Sequence, residues 1–223
     1  MGEEVWWIFT VGVVVLVVLI SVFIYLIAKT YRTKTIAAWE QAATELGINF
    51  TPPGIFGKYT MSGTIGQQLS CSVWAHTEPH GKNSTTYMNY DVRFFQPLNL
   101  GLVVKREGTI LGKIAKLAGK QDIHTNNHVF DRAFTIKGTD EYKVKELLTP
   151  HIQSKLLEAR NVLKNLEVSD DSVNSTRMRG FIRKSEILVQ NIKLLVQLAE
   201  LIIPNEEVDS IFDNDVGSIF EEI

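Results

Sequence analysis

Apolar side chains follow three rhythms along this chain. From Val5 to Ala28 they run without a charged residue, from Ile48 to about Gln96 they alternate with polar ones, and from Lys184 to Ile203 they recur at helical spacing around a thin polar stripe. At a rise of about 1.5 Å per residue the first run reaches roughly 36 Å, enough to cross a hydrocarbon core of roughly 30 Å with some tilt. A secretory signal has basic residues before a shorter apolar run, whereas here Glu3 and Glu4 precede the run and Lys29, Arg32 and Lys34 follow it. The pattern predicts a transmembrane helix over 5–28. Basic residues at its C-terminal end place the short N-terminus, 1–4, on the extracytoplasmic side and the body in the cytoplasm. Trp6, Trp7, Tyr25 and Tyr31 stand near the two boundaries, where amphipathic rings favour the headgroup layer.

Beyond the run, Lys34 to Leu46 reads as a short amphipathic helix with Ile36, Trp39, Ala43 and Leu46 inward, and Gly47 suits a left-handed C′ position. Strands follow over 59–65, 69–77 and 86–96, with a shorter one over 102–105 and hairpin turns at 65–68 and 78–83. In the third strand Met88, Tyr90, Val92 and Phe94 should face a core, and Asn89, Asp91 and Arg93 should face solvent. Residues 108–119 suggest a helix with Ile110, Leu111, Ile114 and Leu117 packed inward, or a segment inserted at the lipid interface. This is not a phosphate loop, because Ile114 stands where Ser or Thr is required.

Val129 to Lys137 predicts another strand, followed by a helix capped by Thr139 and a second opened by Thr149-Pro150. Val162 to Val168 and Val173 to Ile182 flank a turn at 169–172, and a long helix runs over 184–203. The fold class is therefore α+β: an N-terminal transmembrane helix, then an antiparallel-sheet module with packed helices over 29–204, then a tail at 205–223. In the last helix Glu186, Gln190, Lys193, Gln197 and Glu200 form the polar stripe. So wide an apolar remainder suits the sheet, with self-association through 184–203 as the competing use.

Charge changes this picture more than composition does. Of 25 acidic residues, Glu3 and Glu4 precede the span and seven follow Pro204, leaving 16 against all 23 Lys and Arg. The body is thus +7 and the tail −7, and a basic body beside an anionic leaflet is drawn to it. The bases are spread out without an Arg- and aromatic-rich recognition motif, so no nucleic acid is expected. Cys71 is the sole cysteine, which excludes an internal disulfide, and its alternation with Leu69 and Val73 makes it a core residue. His76 with His80 and His124 with His128 share a spacing of four but sit in turn-like sequence, so no metal or cofactor is expected. Asp131 beside Arg132 reads as a strand pair, and no catalytic residue is assigned. The triplets at Asn83 and Asn174 would be glycosylated only in a lumen.

The tail holds a repeat: Ser210-Ile211-Phe212-Asp213 returns as Ser218-Ile219-Phe220-Glu221. An acidic segment of this composition buries too little apolar surface to fold alone. Ile211, Phe212, Asp213, Ile219, Phe220 and Glu221 are therefore the expected protein-binding residues, doubled for avidity.

The region from Trp39 to about Leu157, with Phe130-Asp131, Phe134, Gly138 and then Leu147-Leu148-Thr149-Pro150, resembles a group of bacterial single-pass membrane-anchored α+β proteins. In that group a Trp-bearing helix precedes strands, a Phe-Asp-x-x-Phe-x-Val-x-Gly segment and a Leu-Leu-Thr-Pro helical pair. The resemblance implies an α+β module behind one anchor, cytosolic or periplasmic, and no activity. The leading expectation is a membrane-anchored adaptor or assembly component recruiting a protein through its tail. The rivals are a membrane-surface enzyme or lipid-handling domain with a pocket near 108–119, and an extracytoplasmic envelope component.

Overall fold

The computed structural model describes residues 2–54, 57–106 and 121–203. The 108–119 segment and the tail, with Ile211, Phe212, Asp213, Ile219, Phe220 and Glu221, lie outside them. The fold is α+β, and it begins with one helix, α1 (Gly2–Leu46), of 45 residues. The short amphipathic helix expected over 34–46 is the last part of this longer one. Residues 28–39 contain neither Gly nor Pro, so nothing interrupts the i→i−4 ladder between the apolar run and the domain. Gly47, at φ +67°, ends it as the left-handed C′ residue, with Ile48 N–H donating to the Ala43 carbonyl at 3.0 Å. Among the described residues this is the one helix long and apolar enough to cross a membrane, and none of its apolar window is buried against the domain.

Nine described strands form a single antiparallel sheet. They are β1 (Asn49–Thr51), β2 (Thr60–Ile65), β3 (Leu69–His80), β4 (Asn83–Phe94), β5 (Val103–Arg106), β6 (Gln121–Asp122), β7 (Phe134–Gly138), β8 (Leu166–Ser169) and β9 (Ser172–Arg179). Their order across the sheet is β1-β2-β3-β4-β9-β8-β5-β7-β6. The helices α2 (His128–Ala133), α3 (Glu141–Leu147), α4 (Pro150–Val162) and α5 (Ser185–Ile202) complete the fold. The last part of α1, α4 and α5 pack together over the face that carries Met61, Cys71, Val73, Val92 and Val173, all buried.

Four expectations change. Val129–Ala133 is helical rather than extended, because the Asn127 side chain accepts from the Val129 and Phe130 N–H groups and caps α2; the strand starts at Phe134. Asp131 is therefore not in a strand, and its carboxylate accepts from the backbone and hydroxyl of Thr125. Asp140, not Thr139, caps α3, since the Thr139 hydroxyl donates to the Leu100 carbonyl at 2.8 Å. Val162 belongs to α4 rather than to a strand, and the turn to β8 runs through Asn165 at φ +49°.

The alternation in β4 holds for its core face, but a bulge between Met88 and Tyr90 and flanking contacts bury Asn89 and Asp91 as well. In α5 the whole polar stripe is exposed, while Leu188, Ile192, Leu195, Leu198 and Ile202 are buried. Only Ile187 and Leu201 among its large apolar residues stay exposed, and α1, α4 and the sheet cover the rest.

Candidate functional site

The strand directions identify which end of the domain meets the apolar run. β3 starts at Leu69, opposite Phe94, and proceeds to Thr77, opposite Thr86. Thr77 and Thr86 share one cleft of about 560 Å³ with Tyr31 and Arg32 of α1. The far end of β3 lies beside Gln67, Phe95 and Ile203, where a second depression sits.

Aromatic packing fixes this arrangement. The Trp39 ring is fully buried, stacks on Phe181 at 5.7 Å between centroids and tilts against Tyr59 at 5.3 Å, while its indole N–H donates to the Ile182 carbonyl at 3.0 Å. Three distant segments are thereby clamped at one point: α1, the approach to β2, and the linker into α5. The sequence placed Trp39 in a core correctly but gave no sign of its partners.

Around the cleft mouth stand three permanent cations, Arg32, Lys58 and Arg183, all exposed, and no acid is among its described lining residues. Arg32 donates one Nη2 hydrogen bond to the Pro53 carbonyl at 2.9 Å, which ties the 52–54 stretch to the helix. Gly57 permits the return towards Lys58, since a Cβ there would stand 2.5 Å from the Gly54 nitrogen. Arg183 is held over the rings of Tyr31 and Phe181 at 5.9 and 6.0 Å. Of the expected flank residues, Arg32 joins the cleft, and Lys29 and Lys34 are exposed on α1. No sequence pattern joins Lys58 and Arg183 to Arg32, since 26 and 151 positions separate them from it.

One wall of the cleft is His76, which lies in β3 rather than in a turn. Its ring is bound on both sides. The Arg177 N–H donates to Asn89 Oδ1 at 3.0 Å, which turns the Asn89 amide N–H₂ towards His76 Nδ1 at 2.8 Å; Nε2 then donates to Glu78 at 3.0 Å. Glu78 also receives a bidentate pair from Arg177, at 2.7 and 2.9 Å, and Arg177 covers the Tyr87 ring at 4.7 Å. The hydrogen bond from His76, and then the Arg177 guanidinium, hold the Glu78 carboxyl below its ordinary value. A histidine with both nitrogens engaged is a structural brace and has no lone pair left for a substrate proton.

The remaining unusual groups belong to the core. Burial, and secondarily the Asp91 charge, push the Cys71 thiol up to about 12, in keeping with a buried core thiol. Burial likewise raises the Tyr90 hydroxyl to about 12, where it accepts from the buried Asn191 amide at 3.2 Å. At the far end the Asp170 carboxylate accepts from three successive N–H groups, of Leu100, Gly101 and Leu102, and pins that loop. Among the described residues no cluster of three metal-ligating side chains occurs. No protein-family description, curated protein or solved structure matches this chain.

Proposed function

We propose that the protein is a single-pass membrane-anchored adaptor or assembly component, with its domain held in the cytoplasm and its acidic tail, 205–223, presented to a protein partner. The observation that carries this reading is that α1 and α5 leave the same point and the chain exits at the opposite end. Arg183 lies beside Tyr31, Lys193 pairs with Glu45 at 2.8 Å, and Ile203 lies beyond, at the end distant from the apolar run. With 18 residues, α5 spans roughly 27 Å, so Ile203 stands about that far from the end where Arg183 meets Tyr31.

Two observations support anchoring. A buried core helix would hide its apolar side chains, but here Leu16, Leu19 and Phe23 are each more than half exposed. The two aliphatic hydroxyls within the run need no outside partner: Thr10 donates to the Trp6 and Trp7 carbonyls and Ser21 to that of Val17. That internal satisfaction is what a lipid interior demands. Continuity of the run with the Trp39 clamp favours a retained anchor over a cleaved signal.

Co-purification from membranes with and without residues 205–223 tests recruitment. Loss of the same partners on Phe212→Ala plus Phe220→Ala is expected, and an unchanged partner set would remove the adaptor role. A cysteine placed at Lys82, in the β3–β4 turn, reports sidedness because Cys71 is buried. Labelling by an impermeant reagent from outside intact cells would replace the cytoplasmic assignment with the envelope one. The lipid-handling reading is favoured by one feature, the basic cleft.

A further inference from the structure

We propose that the cleft bounded by Arg32, Lys58 and Arg183 is a binding site for a phosphate-monoester headgroup of an anionic lipid in the same leaflet. This rests on the anchoring reading and adds a ligand to it. Arg32 lies four residues past Ala28, about 6 Å along the helix axis, while the headgroup layer of one leaflet is roughly 5–8 Å deep. The cleft thus opens at the depth where lipid phosphates sit.

Its chemistry suits a dianion rather than a neutral or cationic group. Arg32 uses one of its five N–H donors on Pro53, which leaves the others for a ligand, and Arg183 is oriented by two rings without a carboxylate. Among the described residues no acid forms an ion pair with Arg32, Lys58 or Arg183; the nearby Glu78 is engaged by His76 and Arg177. Of the aliphatic hydroxyls lining the cleft, Thr35 donates to the Tyr31 carbonyl at 2.8 Å, and Thr77 and Thr86 share one bond at 2.8 Å. The permanent charge that draws an anion is supplied by the three cations. Tyr31 and the neighbouring Phe23, Leu26 and Ile27 on α1 offer an apolar track for the acyl chains leading away from it.

The test uses the full chain in nanodiscs of phosphatidylcholine with a minor fraction of phosphatidic acid, and measures the lipid retained per protein after mild detergent exchange. Wild type should retain phosphatidic acid over phosphatidylcholine. Lys58→Ala with Arg183→Ala should lower that preference roughly 10- to 30-fold at low ionic strength. Lys58→Arg with Arg183→Lys should keep most of it. Lys143→Ala with Lys145→Ala, an equal loss of charge on α3, should leave it intact; equal loss there would reduce the effect to general attraction and overturn the site. So would absence of any preference in wild type, or a double alanine variant that retains lipid while its circular dichroism is unchanged. Displacement of the lipid by millimolar inorganic phosphate would make a soluble anion the occupant and overturn the lipid assignment. Failure of the chain to enter nanodiscs at all would instead defeat anchoring, an outcome separable from entry without preference.

Discussion

The two parts of α1 are chemically one helix in two surroundings. Before Lys34 its large apolar residues stand clear of the domain, with Phe23 65% exposed; after Thr35 it buries Trp39, Ala42 and Ala43 almost completely. Each large apolar side chain gains roughly 1.5–3 kcal/mol on leaving water, a gain the second part makes against the sheet and the first part does not make within the domain. What differs is the shape of the contact. The bare part presents a smooth apolar surface with no shaped partner in the domain, whereas the packed part uses a single indole, with one hydrogen bond and three ring partners, to set a unique orientation.

That contrast can be broken from either side. Trp39→Ala should cost about 3–5 kcal/mol in the domain, through lost burial and the cavity left behind, while membrane association stays intact; denaturant unfolding of the detergent-solubilised full chain, paired with flotation, measures both. A loss of flotation together with stability would show that the two parts are not separable. Leu16→Arg should do the reverse. A charge at mid-span opposes insertion by about 2.5–3.5 kcal/mol, so carbonate-resistant association should fall while the unfolding midpoint of the domain does not.

Beneath the packed part, Asn191→Leu should cost about 1–3 kcal/mol by leaving the Tyr90 hydroxyl buried without its donor, and adding Tyr90→Phe should recover much of that. A double variant worse than the single would point to packing instead. The smallest effect belongs to Glu78→Gln at the exposed rim. Because the folded-state value of Glu78 lies below the ordinary 4.5, its stabilising contribution is present above that pH and lost as pH falls through the lowered value. Wild type and variant should therefore differ slightly at pH 7 and converge in acid, as read by paired thermal melts; a difference that widened in acid would contradict the assignment.

Much of the fold was legible because its signals are local. Alternation in β3 and β4, the Thr149-Pro150 start of α4, Gly47 after α1 and the polar stripe of α5 each depend on neighbours in sequence. The segment around Phe130 was ambiguous in principle: Phe130, Ala133 and Phe134 fit a helix, while Phe134 and Ile136 fit a strand, and both are used in turn. Asn127 held the deciding cue, as a cap rather than merely a turn residue. The cleft could not be read, because no local pattern joins Arg32, Lys58 and Arg183. They meet only once the Trp39 clamp has formed.

In the anchored state proposed above, an uninterrupted α1 also makes the molecule a lever, with its fulcrum at the bilayer surface. At about 68 Å from end to end it transmits any lean of the lower arm to the upper body without slack. A lean of about 10°, well within what a change in bilayer thickness induces, would swing the far tip of α5 sideways by roughly 5 Å. In that anchored state the height and heading at which Ile203 releases the chain are geared to the thickness of the bilayer.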